Sequence, residues 1–336
     1  MDDPNFLDEM TVEGRFWEAA GGGSLRCLAC AHCCVIPPGR RGACKVRFNQ
    51  GGALRVPWGY AAALQLDPIE KKPFSHFFPG AQVLTFGMLG CNFRCDFCQN
   101  WLTSQTLRDP AAGRAIGLTR RISPEQMAAA ALRGGAQILA SSYNEPFITA
   151  EWGQDVFRAA RQVGLKTALV SNGYATPQVL QALAPDLDAL KVDLKSMSRE
   201  GYRSLGGRLE AILETIRLAQ ALGLWVEVVT LVIPGFNDSN EHLWQAARFL
   251  ASVSRDIPWH VTAYHPDYRR SDPATPAESL QRAAEIGQEA GLNFVYAGNL
   301  PGRVGSLEDT HCPTCQRAVV RRRGYRILAY EISGAG

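Results

Sequence analysis

The stretch Cys91-Asn92-Phe93-Arg94-Cys95-Asp96-Phe97-Cys98 holds three cysteines in eight residues, with three residues inside the first interval and two inside the second. A closed tetrahedral zinc site wants four protein ligands, and no fourth cysteine or histidine stands close by to complete one. Three thiolates on a short loop suit a cubane of iron and sulfide in which the protein holds three irons and leaves one open. An open iron is useful only if something binds there and reacts. A chance run of buried cysteines, or one half of a zinc knuckle, is the plainer alternative, and the chain on either side argues against both.

Outward from this loop, from about residue 81, short apolar runs alternate with amphipathic stretches. The runs at 83–86, 137–140, 166–170, 189–194, 225–233, 260–264 and 293–296 read as strands. Helical patterns fall between them near 124–133, 150–163, 177–184, 208–222, 240–253 and 277–290. Ser123-Pro124-Glu125 and Thr176-Pro177 look like helix caps with proline in the first turn. Strict alternation of this kind predicts parallel βα units, hence an α/β fold with a partial or full TIM-type (β/α) barrel. A doubly wound open sheet gives the same local pattern. In a barrel the chemistry sits where strands end, and the cysteine loop follows the first strand directly.

Residues 1–80 read as a separate cysteine-rich segment with a small core, and 301–336 as a tail. Cys27, Cys30, Cys34 and Cys44 can supply four ligands, either to a closed structural zinc or to a second iron–sulfur cluster; free thiols are the alternative. Cys33 is the expected odd one out, since adjacent cysteines seldom both reach one metal. In the tail, Cys312-Pro313-Thr314-Cys315 after His311 is a single knuckle, too small to hold a metal alone. It either joins Cys27 and Cys30 across space or stays an unmetallated pair.

The Cys91, Cys95, Cys98 spacing resembles that of the radical S-adenosylmethionine (SAM) enzymes. The resemblance implies a [4Fe-4S] cluster on those three residues whose fourth iron chelates the amino and carboxylate groups of SAM. It also implies polar groups at the other strand ends, and they are present. Ser142-Tyr143-Asn144-Glu145-Pro146 follows the second strand, and Glu145 suits the methionyl ammonium. Ser171-Asn172-Gly173 follows the third. The fourth ends in Lys191-Val192-Asp193-Leu194-Lys195, where alternation puts Asp193 and Lys195 on one face, Asp193 for ribose hydroxyls and Lys195 for the SAM carboxylate. Phe97 and the exit of the fifth strand, from Val232 to Asp238, are expected to bed the adenine; His260 and Tyr264-His265 follow on the sixth. Singly, each has an ordinary explanation as a turn, a cap or a core residue, and recurrence at successive strand ends is what carries the reading.

Residues 81–300 resemble the branch that includes the pyruvate formate-lyase activating enzymes, although Tyr143-Asn144-Glu145-Pro146 stands where that branch has Gly-Gly-Glu-Pro. Nearly the whole chain resembles the AmmeMemoRadiSam system radical SAM protein, through Cys27-x-x-Cys30-x-x-x-Cys34, Asp67-Pro68-Ile69-Glu70-Lys71-Lys72-Pro73, Cys98-Gln99-Asn100-Trp101 and the tail knuckle. Ala31 and the extra Cys33 depart from it. That likeness implies gene neighbours of Memo-like and AMMECR-like kinds.

The expected activity is reductive cleavage of SAM to a 5′-deoxyadenosyl radical that takes hydrogen from an unidentified protein or small-molecule substrate. An external one-electron donor of the flavodoxin or ferredoxin type would supply the electron. A glycyl-radical activase is the narrower alternative. An iron–sulfur electron carrier or sensor is the rival from another class, and it leaves Glu145, Asp193 and Lys195 without a task. The 336 residues are 46% hydrophobic and 20% charged with a formal net charge of +3, which gives no nucleic-acid footprint. The run Arg321-Arg322-Arg323 reads as a solvated edge. The acidic start lacks the apolar core of a signal peptide, and no stretch approaches the roughly 18 apolar residues of a membrane span. A cytoplasmic protein is therefore expected, its ten cysteines serving as metal or redox ligands rather than disulfides.

Overall fold

Runs of Val, Leu and Ala buried on both faces form seven parallel strands in the computed structural model, which describes residues 5–332. The acidic residues Asp2 and Asp3 lie outside the described residues. The strands, numbered here by ordinal, are Gln82–Gly87, Ile138–Ser141, Lys166–Ser171, Ala189–Asp193, Trp225–Val232, Trp259–Ala263 and Val295–Gly298. Each pairs with the next in chain order. A doubly wound sheet reverses its order at a switch point, and this one never does. The first and last parallel strands do not pair, so the barrel is partial.

The helices between them pack on the outer face. Ser123 caps Pro124–Arg133 through a reciprocal box with Gln126, and Thr176 Oγ1 accepts from the Val179 N–H to start Pro177–Leu183. Neighbouring residues of one strand enter different cores, as a side-chain period of two requires. Leu139 and Leu169 join the helix-facing core, whereas Ile138, Ala140, Ala168 and Ala189 face inward around Phe74 and Phe77. The inner plug is held by Glu227 of the fifth strand, which accepts from the N–H groups of Ser75, His76 and Phe77 at 2.8, 3.0 and 3.2 Å. The amino ends of the strands are therefore filled, and open space is left at the carboxyl ends.

The seam expected at residue 80 lies earlier. Ala63–Pro68 adds an antiparallel edge strand to the first parallel one, and the plug at 69–81 belongs to the barrel. This edge strand is half exposed and has no clean alternation, so the sequence does not mark it. Before it, two small antiparallel sheets enclose Leu25, Ile36, Leu54 and Val56. They dock through Arg47, whose guanidinium meets both oxygens of Glu151 at 2.7 and 2.8 Å with both side chains 1% exposed.

The tail forms a three-stranded antiparallel sheet of Thr310–His311, Ala318–Arg323 and Arg326–Tyr330. Here the expected solvated edge is corrected. Strand alternation turns Arg322 inward, where it donates to Ser75 O and Thr310 Oγ1 at 2.7 Å each, while Arg321 and Arg323 stay exposed. No helix among the described residues is long and apolar enough to cross a membrane.

Candidate active site

The loop after the first parallel strand is fixed from several sides. The Arg94 N–H donates to Leu205 O at 3.0 Å, and the Arg269 N–H to Asp96 O at 2.9 Å. Gln105 Nε2 and Arg108 Nη1 both donate to Phe93 O, at 3.2 and 2.7 Å. Held this way, Cys91, Cys95 and Cys98 line a cavity of about 420 Å³ at the carboxyl ends of the strands. All three are free thiols. The Phe93 N–H donates to Cys91 Sγ at 3.4 Å, and Ser104 Oγ lies 3.2 Å from Cys98 Sγ. Burial pushes all three thiols up, Cys95 to about 12. Such thiols become thiolates when a metal takes up the charge.

No three Cys, His, Asp or Glu side chains among the described residues converge closely enough to hold a single ion. Four sulfurs on one zinc, with bonds of about 2.3 Å, would crowd around that point, whereas in a cubane each thiolate ends on its own iron. Three separated thiols with N–H and O–H groups beside the sulfurs, facing open space, are a donor set that fits the cluster.

Glu145, 1% exposed, is the hub between the loop and the next two strand ends. Its Oε1 accepts from Ser171 Oγ at 2.7 Å and the Phe147 N–H at 3.0 Å; its Oε2 accepts from the Asn172 N–H at 2.8 Å. Burial outweighs these bonds and raises its pKa to about 7. Asn172 Nδ2 donates to Asn92 Oδ1 at 2.7 Å and lies 4.0 Å from Cys91 Sγ. One connected line thus runs from Glu145 through Asn172 to the first cysteine. Asn144 Oδ1 accepts from the Met88 N–H at 3.0 Å and fixes the start of the loop.

Tyr143 takes the left-handed backbone, φ 69°, that a glycine would adopt without strain. The chain path is therefore kept, and the ring adds a contact of its own: Lys72 Nζ donates to its hydroxyl at 3.1 Å. At the fourth strand end Asp193 is half-buried and accepts from Lys195 Nζ at 3.1 Å and from Lys191 Nζ. Burial would raise the Asp193 pKa, and the two ammonium groups hold it at about 2. Phe97 is buried against Phe236, ring centroids 5.8 Å apart, so the loop meets the exit of the fifth strand.

Two expected contacts fall elsewhere. Val232 sits on the helix-facing side in the outer core, and its inward neighbours Val229 and Leu231 line the cavity instead. The register is one residue off from the expectation, and one residue changes the face. His265 is exposed outside the cavity and reaches it only through Gln99 Nε2, at 3.1 Å. His260 lines the cavity, with Nε2 2.7 Å from Glu227 Oε2. Sequence reading gave no role to Lys72 and Lys191. Lys191 shares the alternation that marked Asp193 and Lys195, and Lys72 stands in the quoted 67–73 motif; these signals were legible.

In the N-terminal segment Cys27, Cys30, Cys34 and Cys44 draw together. The Cys27 N–H donates to Cys34 O at 2.9 Å, and the Ala43 N–H donates to Cys34 Sγ at 3.4 Å. Burial raises the Cys30 pKa, and the nearby Cys27, Cys44 and Cys34 add to it. Cys33 turns through φ 44°, leaving Cys34 to lead into the strand Val35–Ile36. Cys312 and Cys315 lie at a turn of the C-terminal sheet, where hydrogen bonds from Cys315 and Thr314 lower the Cys312 thiol.

A cysteine loop and a ring of polar strand ends around one cavity define an enzyme that works with an iron–sulfur cluster and a polar cosubstrate. The sequence pattern described as the Radical SAM superfamily matches residues 86–250, from the cysteine loop past the fifth strand, and the chain belongs to that superfamily. Its cofactors are a [4Fe-4S] cluster and SAM. The chain is 37% identical over 313 residues to an uncharacterised protein of Methanocaldococcus jannaschii, covering 92% of this chain and 91% of that one. It is 26% identical over 240 residues to the pyruvate formate-lyase 1-activating enzyme of Escherichia coli, covering 65% and 93%. A solved radical SAM methyltransferase from Sphaerobacter thermophilus shares the fold at a TM-score of 0.50 and 17% identity, over 89% of this chain and 80% of that one.

Proposed function

We propose that Cys91, Cys95 and Cys98 hold the cluster and that the surrounding strand ends hold SAM. When bound, these groups supply one-electron cleavage of the carbon–sulfur bond, giving methionine and a 5′-deoxyadenosyl radical that takes hydrogen from a substrate. In this reading Glu145 and Ser171 orient the methionyl ammonium, Lys195 meets its carboxylate, and Asp193 takes the ribose hydroxyls. Phe97 and Phe236 bed the adenine, and the plug below excludes water from the radical. The observation that carries it is the convergence of the three cysteines, Glu145, Asp193 and Lys195 on one cavity.

The test is anaerobic. Protein reconstituted with iron and sulfide, given dithionite and SAM, should release 5′-deoxyadenosine, and Cys98→Ala should release none. A Cys98→Ala protein that still cleaved SAM would refute the assignment. A fully loaded protein that never cleaved SAM would favour the electron carrier or sensor instead.

Radical SAM activating enzymes need an external reductant and a substrate; we take the reductant here to be a flavodoxin or ferredoxin. A glycyl-radical activase is the second reading, favoured by the likeness to the E. coli activating enzyme. A stable glycyl radical, seen by electron paramagnetic resonance in a partner after turnover, separates it from modification of a small molecule. Memo-like and AMMECR-like proteins are the partners to offer first.

A further inference from the structure

Four of the cysteines play no part in the site just described, yet they are packed against it. Cys27, Cys30 and Cys44 are buried and Cys34 is half-buried, none in a disulfide. Leu25, Ala29, Ile36 and Leu54 pack with Cys27 and Cys34 in a small apolar core, Cys44 packs with Val46 and Ile148, and Cys30 joins the main core. An N–H group is already aimed at Cys34 Sγ, as one is at Cys91 Sγ in the loop. As with the loop, their thiols do not stand at the spacing of a single ion.

Around these cysteines are arginines. Arg108 Nη2 donates to Ala43 O and Arg208 Nη2 to Ala31 O at 3.0 Å, while Arg47 near Cys44 is already paired with Glu151. Four thiolates on a cubane carry net negative charge, and burying it requires cations of this kind nearby.

The turn that carries Cys44 meets the start of the cysteine loop directly. A Cβ on Gly90, the residue before Cys91, would stand 3.1 Å from Cys44 O and 2.7 Å from Val46 Cγ1. Arg108 clamps both sides at once, donating to Ala43 O and to Phe93 O. His32 Nε2 lies 3.1 Å from Asn92 O, and the Ala31 N–H donates to Tyr174 O at 3.1 Å. Tyr174 in turn packs on Phe93, centroids 5.2 Å apart. Backbone touches backbone here, with no solvent layer at the Cys44–Gly90 contact.

We propose that Cys27, Cys30, Cys34 and Cys44 bind a second iron–sulfur cluster, docked on the loop that carries Cys91, Cys95 and Cys98. Its position makes it the entry point for the electron. A one-electron donor of the ferredoxin or flavodoxin class is oxidised, this cluster is reduced, and the same electron passes on to the loop, with no bond or proton changing hands on the way. The relay rests on the loop holding the first cluster; the binding site does not.

Metal counting on anaerobically reconstituted protein tests it. Wild type should hold about eight irons and eight acid-labile sulfides per chain, at about four per cluster. The triple variant Cys91→Ser/Cys95→Ser/Cys98→Ser should keep about four, with a reduced-cluster paramagnetic signal that SAM does not alter. Cys27→Ser/Cys44→Ser should keep the other four and a signal that SAM does alter. About four irons in wild type and none in the triple variant would overturn the proposal, as would four irons with one zinc lost in Cys27→Ser/Cys44→Ser. If the latter variant does not fold, wild type and the triple variant still decide. Eight irons with no response to SAM would leave the second site standing and remove the proposed function. For the relay, reduction of the loop cluster in Cys27→Ser/Cys44→Ser should be at least about tenfold slower with flavodoxin yet unchanged with dithionite. Equal rates with flavodoxin would overturn that role.

Discussion

Glu145 binds its proton more tightly in the fold than in the unfolded chain, because burial costs its charge more than three hydrogen bonds return. Its favourable contribution to folding is therefore complete below the ordinary glutamate pKa of about 4.3 and lost as pH rises through about 7. An ammonium group placed beside it reverses the preference and drives the proton off. SAM affinity should rise up to about tenfold per pH unit below pH 7 and level off above it. Glu145→Gln should bind SAM more weakly with a flat profile. Equilibrium binding between pH 6 and 8 checks this, and a flat wild-type profile would remove Glu145 from the ammonium. Tyr143 makes a second prediction at this scale. At φ 69° a side chain costs about 1–2 kcal/mol that glycine does not incur. Tyr143→Gly should thus be more stable than Tyr143→Ala by about 1 kcal/mol, read by chemical denaturation.

Between elements, the firmest joint is the buried pair of Arg47, from the N-terminal segment, and Glu151, in the helix Ala150–Gln162 of the barrel. Glu151 Oε1 also accepts from the Arg15 N–H at 3.0 Å, so two parts of the segment hang on one carboxylate. Arg47→Ala leaves that charge buried with only a weak partner and should cost about 3–5 kcal/mol. The double variant Arg47→Met/Glu151→Leu should recover most of the loss, since apolar groups of similar volume need no pairing. Denaturation of the two variants against wild type measures it; a double variant no better than the single would deny the charge explanation. The same joint holds the N-terminal cysteines against the loop, so Arg47→Ala should also loosen the Cys44–Gly90 contact.

For the whole molecule, a cluster that must give up an electron readily is one that oxygen attacks. Protein held in air should lose its cluster absorbance and its SAM cleavage together over hours. Retention of both for days would contradict the proposed chemistry. The plug fills the amino ends of the strands, so substrate is expected to reach the cavity from the side of the strand carboxyl ends.

The parallel strands, the capped helices and the cysteine loop were legible in the sequence because each is specified by neighbours along the chain: a spacing, an alternation, a serine before proline. Lys191 is legible for the same reason. What the chain could not specify locally was left to packing. Whether seven strands close or stay open depends on whether the first and last meet, which no single strand encodes. Val232 and Val229 are both valines on one strand, and only the register of that strand decides which faces the cavity. Arg322 looks like its two neighbours until a sheet turns it inward. That the turn carrying Cys44 lies against Gly90, beside Cys91, is a fact of long-range contact. It follows from a buried ion pair and a glycine close enough to touch a turn's carbonyl, and such contacts exist only once the chain has folded.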